Sequence, residues 1–111
     1  MNQKEEELHK IVEIVVDCCS TTDENGNKSI TKADVLGKSR TENITLTRCI
    51  ATRMIVFAGY TVSTVSKLLK RTPRAVRDMI RQGQRLTKSS RAYRIAENEA
   101  MLKCRQQGLQ V

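Results

Sequence analysis

Apolar residues recur along this chain at steps of three and four, the spacing of helices that bury one face. Leu8, Ile11, Val12, Val15 and the pair Cys18-Cys19 predict a first helix over residues 3–19. The polar run STTDENGNKS, residues 20–29, interrupts it, with Asn25-Gly26 as a turn signal. Thr31 is placed to cap a short helix, TKADVLG, with Asp34 at the third helical position and Gly37 as its stop. A basic loop, KSRTEN, leads to a longer helix that starts at Asn43 or Thr45 and runs through Ala58. Its inner stripe is expected to be Leu46, Ile50, Met54 and Phe57, and Gly59-Tyr60 ends it.

The stretch LLKRTPRAVRDMI, residues 68–80, contains the only proline. A proline in a helix interior costs about 3 kcal/mol or more. Yet Val65, Leu68 and Leu69 before it, and Val76, Met79 and Ile80 after it, both keep helical spacing. Thr61 and Thr72 each stand where an N-cap belongs. Pro73 then falls at a first helical position, where its missing N–H costs nothing and its fixed φ helps. Two helices, 62–69 and 73–85, joined by a tight turn, make a helix-turn-helix. Gly83 weakens a helix interior and marks a stop near 85. A last helix is expected from Ser89 or Ser90 to Arg105, with Ile95, Ala96, Glu99 and Leu102 on one side. The tail, residues 106–111, is expected to fray. The fold class is therefore all-α: one domain over 1–111, a small bundle of five or six helices, with residues 30–105 as its core.

Composition narrows the function classes. The chain is 39% hydrophobic with only Phe57, Tyr60 and Tyr93 as aromatics, so the core must be aliphatic. No apolar run reaches the roughly 18 residues that read as a membrane span. The acidic N-terminus is no signal peptide, so a cytoplasmic protein without a membrane partner is expected. The four cysteines form no C-x-x-C and read as buried free thiols. A calcium frame from Thr21 to Lys32 fails, because Lys32 stands where a bidentate glutamate belongs. His9, near Glu5, Glu6 and Glu13, reads as a surface residue. No metal, cofactor or nucleotide site is expected, since neither a Ser/His/Asp set nor G-x-x-x-x-G-K-[ST] is present. The chain does not read as an enzyme.

Charge changes the picture most. Residues 1–34 hold four Lys/Arg and eight Asp/Glu, while residues 35–111 hold sixteen and four, giving the overall +8. Such asymmetry points to a polyanionic partner for the second part. On a helical wheel at about 100° per residue, Arg74, Arg77, Arg81 and Arg85 fall within about 80° of one another. Val76, Met79, Ile80 and Gly83 lie opposite. Lys67, Lys70 and Arg71 surround the N-terminal end, where backbone N–H groups favour an anion. A second basic cluster, Lys38 and Arg40 with Arg48 one turn inside the next helix, matters only if the fold brings it beside the turn.

The order Asp34-Val35-Leu36, then Gly37-Lys38-Ser39-Arg40, then Arg48, then Thr61-Val62 with Val65, resembles the C-terminal DNA-binding domain of the bacterial replication initiator DnaA. The likeness spans about Ile30 to Glu99. It implies a Trp-repressor-like helical bundle in which Arg40 enters the minor groove and Arg48 contacts the backbone. Ser63 stands where that family has a phosphate-contacting proline. Lys70, Arg71, Thr72, Pro73, Arg74, Ala75 and Val76 stand where it has Gly-Arg-Asp-His-Ser/Thr-Thr-Val, whose Asp-His-Thr part reads bases. The histidine is replaced by Pro73, so Arg74 becomes the candidate for a guanine edge or a phosphate. The family's ATPase domain has no counterpart, so no ATP-driven initiator is implied.

The expected function is double-stranded DNA binding by a regulator of replication or transcription. Its contact set is Lys38, Arg40, Arg48, Ser63, Lys70, Arg71, Thr72, Arg74, Ala75, Arg77 and Arg81. An alternative is a protein-interaction adaptor, in which the acidic first helix, with Glu5, Glu6 and Glu7, is a docking surface and the basic face docks an acidic partner. A homodimer or protein partner would use the N-terminal or C-terminal helix.

Overall fold

The computed structural model describes residues 3–21 and 24–111. Asp23 of the calcium frame lies outside them. Six helices make up the described chain: α1 (Gln3–Cys19), α2 (Lys32–Leu36), α3 (Glu42–Phe57), α4 (Val62–Leu69), α5 (Pro73–Ser89) and α6 (Arg91–Gln106). None is long and apolar enough to cross a membrane.

Local cap chemistry fixes most boundaries. Thr31 and Asp34 form a reciprocal capping box, with Asp34 N–H on Thr31 Oγ1 at 3.2 Å and Thr31 N–H on Asp34 Oδ2 at 2.9 Å. Thr61, Thr72 and Ser90 accept from the backbone N–H three residues on. Each such cap contributes about 1 kcal/mol. Pro73 opens α5 as the sequence predicts. Helix α3 starts at Glu42, one residue before Asn43, and Thr41 caps it without a side-chain bond.

The core is aliphatic, built on Ile11, Val12, Val15, Val35, Ile50, Met54, Ile55, Val65 and Val76, all under 3% exposed. Helix α3 runs through its middle and packs against the other five helices. Two of its expected inner residues, Ile50 and Met54, are buried; Leu46 is half-buried. Phe57 is not an inner residue. It is 42% exposed, and the Arg53 guanidinium lies 5.2 Å from its ring centroid, which suits a cation–π contact.

Gly83 does not end α5. It lies buried inside a helix that continues to Ser89, where α5 passes α3 and α6. A Cβ there would sit 2.5 Å from Arg53 Cδ and 2.7 Å from Tyr93 Oη. The glycine is thus a close-approach residue, and the cost to helix propensity is offset by the packing it permits.

Helix α6 buries Tyr93, Glu97, Ala100 and Cys104, leaving Ile95, Glu99 and Leu102 exposed and Ala96 half-buried. A buried charge decides that face. Glu97 Oε2 stands 3.3 Å from Arg53 Nη1, in ionic contact, with both side chains at most 12% exposed. The tail, expected to fray, folds back against the end of α6. Gly108, at φ 82°, closes α6 in a Schellman motif, with Gly108 N–H on Arg105 O and Leu109 N–H on Cys104 O. Leu109 is buried, and Arg105 donates twice to Val111 O.

All four thiols are free, with Cys49 and Cys104 buried. Burial pushes Cys18 and Cys49 up to about 11, so they are poor nucleophiles at neutral pH. His9 is half-buried rather than exposed, in a groove of about 560 Å³ beside Leu8, Leu36 and Leu68.

Candidate nucleic-acid interface

The turn between α4 and α5 is closed by its own residues. Lys70 adopts the left-handed conformation, φ 54° and ψ 46°, at a position glycine fills at lower cost. The next residue is fixed from both sides by Ser66. Arg71 N–H donates to Ser66 O at 3.0 Å, and the Ser66 hydroxyl donates to Arg71 O. The Arg71 side chain therefore leaves from a held backbone.

It reaches the basic loop after α2. Arg71 Nη2 donates to Gly37 O at 3.0 Å. Arg48 reaches the same oxygen from α3, through Nη2 at 3.1 Å, and also donates to Val35 O at 2.8 Å, Asp34 O at 3.0 Å and Ser39 O at 3.0 Å. A carbonyl oxygen has two lone pairs and accepts both guanidinium groups. Gly37 itself has no room for a side chain, since a Cβ would stand 2.9 Å from Ala33 O.

This corrects one expected contact. Arg48 is 3% exposed and spends its donors on four carbonyls, so it cannot present a guanidinium to a phosphate. Burial first, then the neighbouring Arg71 charge, lower its pKa from the ordinary arginine value. Its role is to cap α2 and shape the loop.

The loop that results alternates. Gly37 and Ser39 turn inward onto the arginines, while Lys38 and Arg40 are exposed. The loop lies beside the α4–α5 turn because Arg71 joins the two. Lys70 is exposed in that turn, Thr72 is occupied as the α5 cap, and Ala75 is half-buried with its N–H on Thr72. Pro73 has no N–H, so of the first-turn donors that of Arg74 is left for an anion. Ser63 is exposed in the first turn of α4.

Arg74, Arg77, Arg81 and Arg85 are all exposed on α5, opposite buried Val76 and Gly83. Because α5 runs on to Ser89, exposed Lys88 extends the same row. The sequence reading missed it by ending the helix at 85; the signal was the polar, glycine-free run after Gly83. Among the described residues one acid touches the row, Asp78, 3.7 Å from Arg81 with both side chains mostly solvated. Such a contact is worth little. Also missed were Arg53, Glu97 and the Gly37 carbonyl. Their importance comes from partners distant in the chain, for which no local signal exists.

Comparison with family models, with curated proteins and with solved structures finds no match for this chain.

Proposed function

We propose that this protein binds double-stranded DNA, with α5 in the major groove and the Lys38–Arg40 loop in the adjacent minor groove. One observation carries the reading: the Arg71–Gly37 bond joins the basic loop to the helix-turn-helix turn. Two clusters that would be ordinary solvated surface apart become one cationic surface. Its cations are Lys38, Arg40, Lys70, Arg74, Arg77 and Arg81, with Arg85 and Lys88 farther along α5. A row of arginines without matching acids repels itself, and phosphates relieve that repulsion. Ser63 adds a hydroxyl for the backbone. The likeness to the DnaA C-terminal domain belongs to the same proposal, as does a role in regulating replication or transcription.

The adaptor reading is weaker. On the acidic helix α1, Glu7 accepts from the Tyr60 hydroxyl at 2.8 Å, Glu13 pairs with Lys32 at 3.4 Å and Asp17 with Lys28 at 3.0 Å, so part of that docking face is engaged within the chain.

The test is fluorescence anisotropy on a short random-sequence duplex across a salt series. Binding should weaken with salt at a slope of about −0.9 per neutralised phosphate. Arg74→Ala and Arg40→Ala should each weaken it further. No binding at low salt, or indifference to both substitutions, rejects the proposal.

A further inference from the structure

We infer that Arg71 acts as a positioning residue: it sets the Lys38–Arg40 loop against the recognition helix, so that loop and helix engage duplex as one preset unit. The inference rests on the DNA-binding reading and assigns within it a role that the sequence pattern gives to direct contact.

Arg71 differs from the arginines around it. Arg74, Arg77 and Arg81 are exposed, whereas Arg71 is half-buried and its Nε is shut away from solvent without a partner. Its Nη2 is committed to Gly37 O. Its own N–H and carbonyl are both taken by Ser66, so the base of the side chain cannot drift. At the other end the loop is held by Arg48, through Gly37 O and Ser39 O. The loop is thus pinned to α3 by one arginine and to the helix-turn-helix by the other. Lys38 and Arg40, which carry the loop's charge, make none of these bonds and stand free for a ligand.

The arrangement has a cost that argues for its use. Two guanidinium groups share one carbonyl, and among the described residues neither has a carboxylate within ion-pair distance. A phosphate near the junction would offset the repulsion. Holding the loop before DNA arrives also spares the ordering of a flexible cationic arm on binding.

The experiment has two arms, and the first needs no DNA. Backbone amide relaxation at Lys38 to Thr41 is followed by NMR in the free wild type, Arg71→Ala and Arg71→Lys. Lysine keeps the charge but loses the planar fork. In both variants the order parameters of this loop should fall to about 0.6 or below, while those of the α3 and α5 interiors stay near about 0.85. The second arm measures duplex affinity for wild type, Arg40→Ala, Arg71→Ala and the double variant. If Arg71 works through the loop, its loss should add no more than about twofold once Arg40 is gone. Unchanged loop order parameters in both Arg71 variants overturn the positioning role. So does a fully additive loss of affinity, which would make Arg71 a direct contact. If the wild type binds no duplex, the DNA reading falls and the relaxation arm alone decides whether Arg71 holds the loop.

Discussion

The two sides of α5 use the same residue type in opposite ways. On its inner side, Gly83 lets the helix come close to Arg53, which is half-buried and paired with buried Glu97. On its outer side, Arg74, Arg77, Arg81 and Arg85 stand in solvent with, among the described residues, one weak acidic neighbour. Arginines inside the fold are held by carbonyls and a carboxylate, and they set how elements sit. The side chains of the four outer arginines of α5 bond no other element among the described residues. Substitutions on the inner side should therefore cost stability, and on the outer side should cost only binding.

The largest expected effect breaks the inner side. Gly83→Val drives a branched side chain into Arg53 and Tyr93, and should destabilise by about 3 kcal/mol in denaturant unfolding. The matching outer-side variant, Arg74→Ala/Arg77→Ala/Arg81→Ala, should change stability by no more than about 0.5 kcal/mol per site. Its salt slope on duplex should shrink by about 2 to 3. If the outer triple variant unfolds as readily as the Gly83 variant, the division between the sides is wrong.

A smaller effect sharpens the comparison at the turn. Lys70 is left-handed, so Lys70→Gly should raise stability by about 0.5 to 1 kcal/mol. It also removes an exposed cation, so duplex affinity should fall as stability rises. Thermal unfolding and anisotropy on one sample set read both. A fall in both would mean that the lysine side chain holds the turn.

The smallest effect is a pH dependence from the inner side. Burial raises the Glu97 pKa, although Arg53 and then Tyr93 pull it down. A carboxyl raised in the folded state holds its proton more tightly there than in the unfolded chain. Its favourable contribution is present below the ordinary value and is lost as pH rises through the raised one. Relative to wild type, Glu97→Gln should therefore gain stability as pH rises from the ordinary value of 4.5 toward neutrality. Melting curves for the pair across that window check the sign, and a difference that stays flat counts against it.

What could be read from the sequence follows the range of the forces involved. Thr31, Thr61, Thr72 and Pro73 were legible because a cap is decided within four residues. The outer row on α5 was legible because a helical wheel needs only the period. Arg48 was not, since an arginine early in a helix reads the same whether it meets a phosphate or four carbonyls. Gly83 reads alike as a stop and as a helix crossing until the crossing helices are known. The inner face of α6 was misjudged because periodicity favours Ile95 and Leu102, whereas Arg53 draws Glu97 inward. The tail was expected to fray because its closing signal, Gly108 followed by Leu109, is only two residues long.

The most direct test of the central claim is an NMR titration of the labelled protein with a short duplex, read as amide shift changes. Duplex should shift Lys38 to Thr41, Lys70 to Arg74 and α5 toward Arg81, leaving the exposed faces of α1 and α6 unmoved. Changes centred on α1 or α6, or none at low salt, would contradict the claim.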